Sequence, residues 1–215
     1  MICSARMWGP VLTRDRKLEG EWESAGTVDL SSALGRWGVY RDQMSCFVPP
    51  ARELWASWAE SIVEFAGETP HGYGVTAADL PAVLSDVTVF ERWAAARATE
   101  ATPGADLPDG RVPCTTLWIV DEGEVCGSLS VRHELNEFLL NEGGHVGYGV
   151  RPSARRRGLA SDALRHGIDL LRGMGVDRAL VTCDTDNLAS RRVIEKAGGR
   201  LEDERAGILR FWITG

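Results

Sequence analysis

The sequence predicts a single mixed α/β domain with a mostly antiparallel central sheet flanked by helices. Three observations predict it. Apolar residues recur at helical spacing between about residues 51 and 98. β-rich segments joined by short turns occupy 115–150. The remainder alternates strand, helix, strand, helix, strand. At 215 residues the chain is long enough for one sizeable core. Residues 1–43 mix Trp8, Trp22 and Trp37 with charges and glycines and show no sustained period. They read as an N-terminal extension, and the domain runs over 44–215.

The elements follow in order. "SCFVPP" (45–50) is a short strand stopped by Pro49-Pro50. Leu54, Trp55, Trp58, Ile62 and Phe65 mark one helix. Asp79 is placed to cap a second, with Pro81 just inside. Val83, Leu84, Val87, Phe90, Trp93, Ala94 and Ala98 carry that helix on without a break. "TPGADLPDGRVP" (102–113) is loop. "TTLWIVD" (115–121), the turn Glu122-Gly123 and "EVCGSLSVRHEL" (124–135) form a hairpin, and 136–144 connects to a third strand at 145–150. Residues 158–175 form an amphipathic helix with Ala160, Leu164, Ile168 and Leu171 on one stripe, punctuated by Gly173 and Gly175. "RALVTCD" (178–184) is a buried-type strand. Asp186 or Asn187 caps a helix through Ala197, closed by Gly198-Gly199, and 200–214 returns as a pair of strands.

Charge and cysteine usage exclude several classes. The net charge of −7 argues against a general binder of nucleic acid or anionic membrane, because phosphate affinity needs a basic field. The basic run Arg155-Arg156-Arg157 therefore acts locally, and no aromatic stacking platform lies beside it. Five scattered cysteines without a CxxC pair indicate neither a zinc site nor a disulfide framework, and fit reduced thiols in a cytoplasm. No apolar run is long enough to span a membrane and no signal peptide is legible, so the expected location is cytoplasmic.

The stretch "RPSARRRGLA" (151–160) carries the functional signal. It joins a strand to a helix. The first amides of a helix lack intrahelical partners and the macrodipole is positive there. Gly158 removes a Cβ where a ligand approaches the backbone. Together these make a cradle for a pyrophosphate. Rival phosphate motifs fail: no GxxxxGK[ST] is present, and Gly147-Tyr148-Gly149 is followed by Pro152 where a dinucleotide fingerprint needs its third glycine. The bland alternative is a basic, solvated first turn, although basic residues there oppose the dipole. "HELNE" (133–137) lacks the second histidine of HExxH, so no metal is expected.

Arg155-x-x-Gly158-x-Ala160 resembles the [QR]-x-x-G-x-[GA] signature of the GNAT superfamily of acyl-CoA-dependent N-acetyltransferases. "NLASRRVIEKAGG" (187–199) resembles that family's Asn-x-x-[AS]…Glu-Lys-x-Gly helix. The likeness covers about 45–215 and points to a bacterial subgroup. It implies a sheet with a splayed strand pair and acetyl-CoA as co-substrate. The pyrophosphate would sit on the amides of Arg156, Arg157, Gly158, Leu159 and Ala160, with Arg155 nearby. The pantetheine would run beside Tyr148 and Val150, with Asn187 and Ser190 contributing from the following helix. Gly147 and Gly149 either leave room near the thioester or let a helix pack closely.

The implied reaction is attack of an amine on the thioester, which needs a base and benefits from an acid for the leaving thiolate. His133, Glu134, Glu137 and His145 are the base candidates, although each alone also reads as a solvated strand end. Many family members carry a tyrosine acid where this chain has Ile194. Tyr148, Cys183 or water must then substitute. Asn187 either caps its helix, binds pantetheine, or does both. Glu134, Glu137 and Glu142 either surround the acceptor mouth and favour a cationic amine or form a solvated loop. The expected partners are acetyl-CoA and an amine acceptor, with a homodimer as an allowed assembly. A non-catalytic acyl-CoA sensor on the same fold is the alternative function.

Overall fold

The computed structural model describes residues 46–65, 70–102 and 104–214. The expected extension at 1–43 lies outside the described residues. Twelve elements organise the rest: β1 (Cys46–Val48), α1 (Trp55–Val63), α2 (Leu80–Ser85), α3 (Val87–Glu100), β2 (Cys114–Asp121), β3 (Glu124–Arg132), β4 (Val146–Val150), α4 (Leu159–Gly173), β5 (Arg178–Asp184), α5 (Leu188–Lys196), β6 (Arg200–Arg205) and β7 (Ile208–Thr214). The strands make two antiparallel sheets, ordered β1-β2-β3-β4 and β5-β7-β6. The mixed α/β fold with a mostly antiparallel sheet is as expected.

Two boundaries differ from the sequence reading. The single helix expected over 79–98 is two. Asp86 adopts an extended conformation (φ −137°, ψ 114°) and its carboxylate accepts from the N–H of Thr88 and Val89, which ends α2 and caps α3. Periodicity hides such a break because Val83, Val87 and Phe90 keep helical spacing across it. Asp79 stands at the start of α2 but makes no side-chain cap; its carboxylate accepts from the Thr76 hydroxyl at 2.7 Å instead. The expected strand 124–135 ends at Arg132, and a π-helical turn, Leu139–Gly143, occupies the connection to β4.

Two cores sandwich the first sheet. On one face Trp58, Phe90 and Trp93 of α1 and α3 pack with Trp118 of β2. Trp58 is fully buried, so Trp58→Ala removes on the order of 3–5 kcal/mol. On the other face, Leu129, Val131 and Val146 meet Ala163, Leu164, Ile168 and Leu171 of α4, and that core continues into Val181 and Phe211 of the second sheet. The buried stripe of α4 begins at Leu159 rather than Ala160, which is only partly buried.

Among the described residues, hydrogen bonds join the two sheets at one end of β4. The His145 N–H donates to the Leu180 carbonyl at 2.7 Å, and the Leu180 N–H donates to His145 Nδ1 at 2.9 Å. Beyond that clasp β4 and β5 are both sheet edges facing each other without a ladder. This is the splayed pair that the resemblance implied.

Candidate active site

The 151–160 turn lies where β4 ends, at the open end of the splay. Its backbone is unusual: Arg156 has φ 67° and Gly158 φ 89°. A left-handed residue reverses the chain sharply, and at 158 only glycine adopts it without strain. A Cβ at Gly158 would meet nothing within 4 Å, so the space above it is open. Ser161 and Asp162 N–H close onto the Gly158 carbonyl, whereas among the described residues no turn or cap hydrogen bond uses the N–H of Arg156, Arg157, Gly158, Leu159 or Ala160. Amides at a helix start thus stand beside open space at Gly158, a setting that suits an anion.

The arginine side chains brace this turn. Arg151 pairs with Glu64, whose carboxylate also accepts from the Ser153 N–H and hydroxyl at 3.0 Å each. These contacts, the Arg151 hydrogen bond first, hold the Glu64 carboxyl at about 2. Arg155 Nε donates to the Val150 carbonyl and its guanidinium stacks over Phe65. Arg157 pairs with Asp121 in the β2–β3 hairpin. Sequence reasoning missed Glu64 because it lies in a different element, 87 residues before Arg151.

Tyr148 projects from β4 toward α5, where its hydroxyl and Ser190 Oγ lie 2.9 Å apart. Burial pushes the phenol up to about 12. Asn187 caps α5, its Oδ1 accepting from the Ser190 N–H at 3.0 Å, which leaves its Nδ2 without a partner among the described residues. Cys183 is buried near Tyr148 and its thiol is pushed up to about 11 by burial. Ile194 is fully buried in the α4-side core, where a Cβ on Gly199 would lie 2.5 Å from its Cγ2.

On the opposite face of the first sheet lies a cavity of about 410 Å³. Its roof is the chain from Pro70 to Thr76, which crosses β3 and β4. Ser128 and Ser130 each donate to the Gly72 carbonyl at 2.8 Å. The approach is close because Gly149 has no side chain: a Cβ there would sit 2.4 Å from the His71 carbonyl oxygen. Gly149 thus admits this crossing segment rather than a helix, and the Arg132 guanidinium occupies the space over Gly147. Arg97, Glu100, Arg111, Cys114, Thr116 and Arg132 line the cavity with Ser130.

The predicted bases separate. His133 and His145 have adjacent backbones, since Arg132 N–H donates to the His145 carbonyl, but their rings have different partners. His133 Nε2 lies 2.8 Å from Thr115 Oγ1, a residue paired with Val131 of the α4-side core. His133 does not line the cavity. Burial lowers its pKa against the pull of Glu134. His145 is buried. Its Nδ1 accepts the Leu180 N–H, so the neutral ring carries its proton on Nε2. Burial and then the Arg132 cation lower its pKa. Protonating Nδ1 would break the clasp between the sheets. Glu134, Glu137 and Glu142 are not among the cavity-lining residues. Among the described residues no cluster of His, Cys, Asp and Glu could hold a metal, and no helix is long and apolar enough to cross a membrane.

An amide-lined turn at the mouth of two splayed strands, with a cavity across the sheet, is an arrangement suited to a phosphate-bearing ligand on one side and a second, smaller one on the other. The "Acetyltransferase (GNAT) domain" family model matches residues 74–200, so the chain belongs to the GNAT acetyltransferase family and is an acetyl-CoA-dependent acyltransferase. No curated protein matches the chain. Solved structures share its fold. Mycobacterium smegmatis RimJ in complex with CoA-disulfide is 23% identical, with 80% of this chain and 82% of that one covered and a TM-score of 0.59. The microcin C7 self-immunity acetyltransferase MccE, with acetyl-CoA and AMP, is 14% identical over 81% and 94%, with a TM-score of 0.57. RimL, a ribosomal L7/L12 alpha-N-protein acetyltransferase in complex with coenzyme A, is 13% identical over 80% and 95%, with a TM-score of 0.56. Acetyl-CoA is the co-substrate.

Proposed function

We propose that the protein transfers the acetyl group of acetyl-CoA to the amine of a small molecule by direct attack in a ternary complex. The observation that carries this reading is the position of the two openings on either side of β4. The amides of Arg156 to Ala160 seat the pyrophosphate at the splay, with Arg155 bracing the turn. Tyr148, Val150, Asn187 and Ser190 border the path from that turn inward. The acceptor cavity lies across the sheet, its roof at Gly72 packed so closely that a Cβ there would be 2.6 Å from Tyr148 Cα. A cavity of about 410 Å³ is in the size range of small-molecule sites.

The amine nitrogen forms a bond to the thioester carbonyl carbon and the carbon–sulfur bond breaks. Tyr148, protonated at every physiological pH, donates its proton to the departing sulfur, and the proton the nitrogen sheds on becoming an amide is returned through solvent to the phenolate. Tyr148 takes the place that Ile194 cannot fill. The ammonium proton leaves to water through the cavity mouth, because Glu100 is committed to Arg97 and Arg111. His145 serves as a neutral clasp. A panel of small amines and of peptides with free N-termini, read by CoA release, tests the proposal. Small amines should turn over with intersecting initial-velocity lines. Turnover confined to peptides would replace the acceptor, and parallel lines would replace direct attack with an acetylated enzyme.

A further inference from the structure

The cavity carries a charge pattern that runs against the chain as a whole. The protein has a net charge of −7, yet the charged side chains lining the cavity are three guanidinium groups, Arg97, Arg111 and Arg132, against one carboxylate, Glu100. Glu100 is buried and already shared: Arg97 Nη2 donates to it at 2.6 Å, and Arg111 Nη1 lies 3.3 Å from the same oxygen. Arg97 Nη1 is also committed, to the Gly74 carbonyl at 2.8 Å.

Arg132 differs. Its Nη1 donates to the Gly143 and Gly144 carbonyls at 2.9 and 3.2 Å. Among the described residues its Nε and Nη2 have no acceptor, and no carboxylate lies within ion-pair distance of it. The two carbonyls fix the plane of the guanidinium over β4, where a Cβ on Gly147 would stand 3.3 Å from Nη1. Gly147 neighbours Tyr148, the residue assigned to the departing sulfur. A half-buried, oriented arginine with open donors in the wall of the cavity, across β4 from the Tyr148 side chain, is an oxyanion receptor.

We propose that the acceptor is an amine that also bears an oxyanion, a carboxylate or a phosphate, and that Arg132 binds it, with Arg111 adding charge at the rim. The inference rests on the acetyltransferase reading of this cavity. It has a chemical corollary. Cations around the bound ammonium favour its neutral form, so the same arginines that hold the acid also help produce the nucleophilic amine. A purely cationic polyamine, by contrast, is repelled.

Matched pairs of amines test this: tyramine against tyrosine for the carboxylate, ethanolamine against phosphoethanolamine for the phosphate. The acid-bearing member of at least one pair should have the higher kcat/KM by about ten- to a hundredfold, the scale of a charge-assisted hydrogen bond. Arg132→Gln should erase that preference through KM. Arg111→Glu, which leaves the Gly143 and Gly144 contacts intact, should reduce it. Equal or better turnover of the uncharged-tail members by the wild type would overturn the inference while leaving the acetyltransferase reading in place. A second measurement does not depend on turnover. With CoA saturating, inorganic phosphate or propionate should raise the melting temperature of the wild type and not of Arg132→Gln. Equal shifts in both, or none in the wild type, would overturn the proposal. Failure of CoA itself to bind would strike the parent reading, and the same salt titration without CoA would still decide the role of Arg132.

Discussion

The Arg151–Ala160 turn and the cavity under Gly72 lie on either side of β4 and are assembled in different ways. The turn is ten consecutive residues whose shape comes from their own backbone, the positive φ of Arg156 and Gly158 above all. The cavity is gathered from the 70–76 crossing, the end of α3, the loop before β2 and the strand β3. A ligand seat made of main-chain amides tolerates many side chains around it. A seat made of converging side chains depends on each of them and on the elements that aim them. The difference teaches where to cut: substitutions in the turn act on the co-substrate, and substitutions in the cavity act on the acceptor.

Tyr148 belongs to neither half and gives the largest expected effect. Tyr148→Phe should lower kcat about 10²-fold with little change in acetyl-CoA affinity, the usual scale for loss of a general acid. Stopped-time assays of CoA release measure it, and a loss below threefold would remove Tyr148 from the chemistry. Next comes Glu64, the distant brace of the turn. Glu64→Gln should cost about 2 kcal/mol, since Arg151 keeps its charge in a half-closed site with only the exposed Glu124 carboxylate, 3.9 Å away, to offset it. Because the folded Glu64 carboxyl sits at about 2, below its ordinary 4.5, its contribution is complete above pH 4.5 and fades as pH falls toward 2. Denaturant midpoints of wild type and variant should therefore differ at neutral pH and converge in acid. An undiminished gap near pH 2 would refute the ion pair as the cause.

How much of this was legible in the sequence follows the same division. The turn, Asn187 and the two helices that flank them were readable because each is a contiguous pattern. The two histidines were readable as neighbours, since 124–135 and 145–150 had to pair, but not as separately engaged rings: strand ends do not reveal that His145 reaches the backbone of β5 or that His133 turns to Thr115. Asp86 was hidden because one residue out of helical conformation leaves the apolar spacing unchanged. Arg97, Glu100 and Arg132 carry no motif. They meet only because the 70–76 segment lies across β3 and β4, and Gly149, the residue that permits it, looked equally suited to other close approaches.

Two smaller effects sharpen the comparison. Restoring the tyrosine that many relatives carry, Ile194→Tyr, should destabilise by about 1–3 kcal/mol rather than accelerate turnover, because Ile194 is fully enclosed and Gly199 already packs against it. Thermal denaturation with a turnover assay separates the two outcomes, and a stable, faster variant would show that the pocket opens. The smallest change is expected at His133. His133→Ala should alter kcat/KM less than twofold and leave the pH–rate profile following the ionisation of the acceptor amine. Disappearance of an inflection below 6.5, the direction in which burial moves His133, would instead make it the base.

The central claim is that the 155–160 turn is the acetyl-CoA seat, and calorimetric titration of acetyl-CoA into the wild type and Gly158→Asp tests it most directly. The account predicts one site per chain in the wild type and no measurable binding in the variant. A carboxylate would occupy the open space above Gly158, while the positive φ costs the fold only about 1 kcal/mol. Equal binding by both proteins, or none by the wild type, would contradict it.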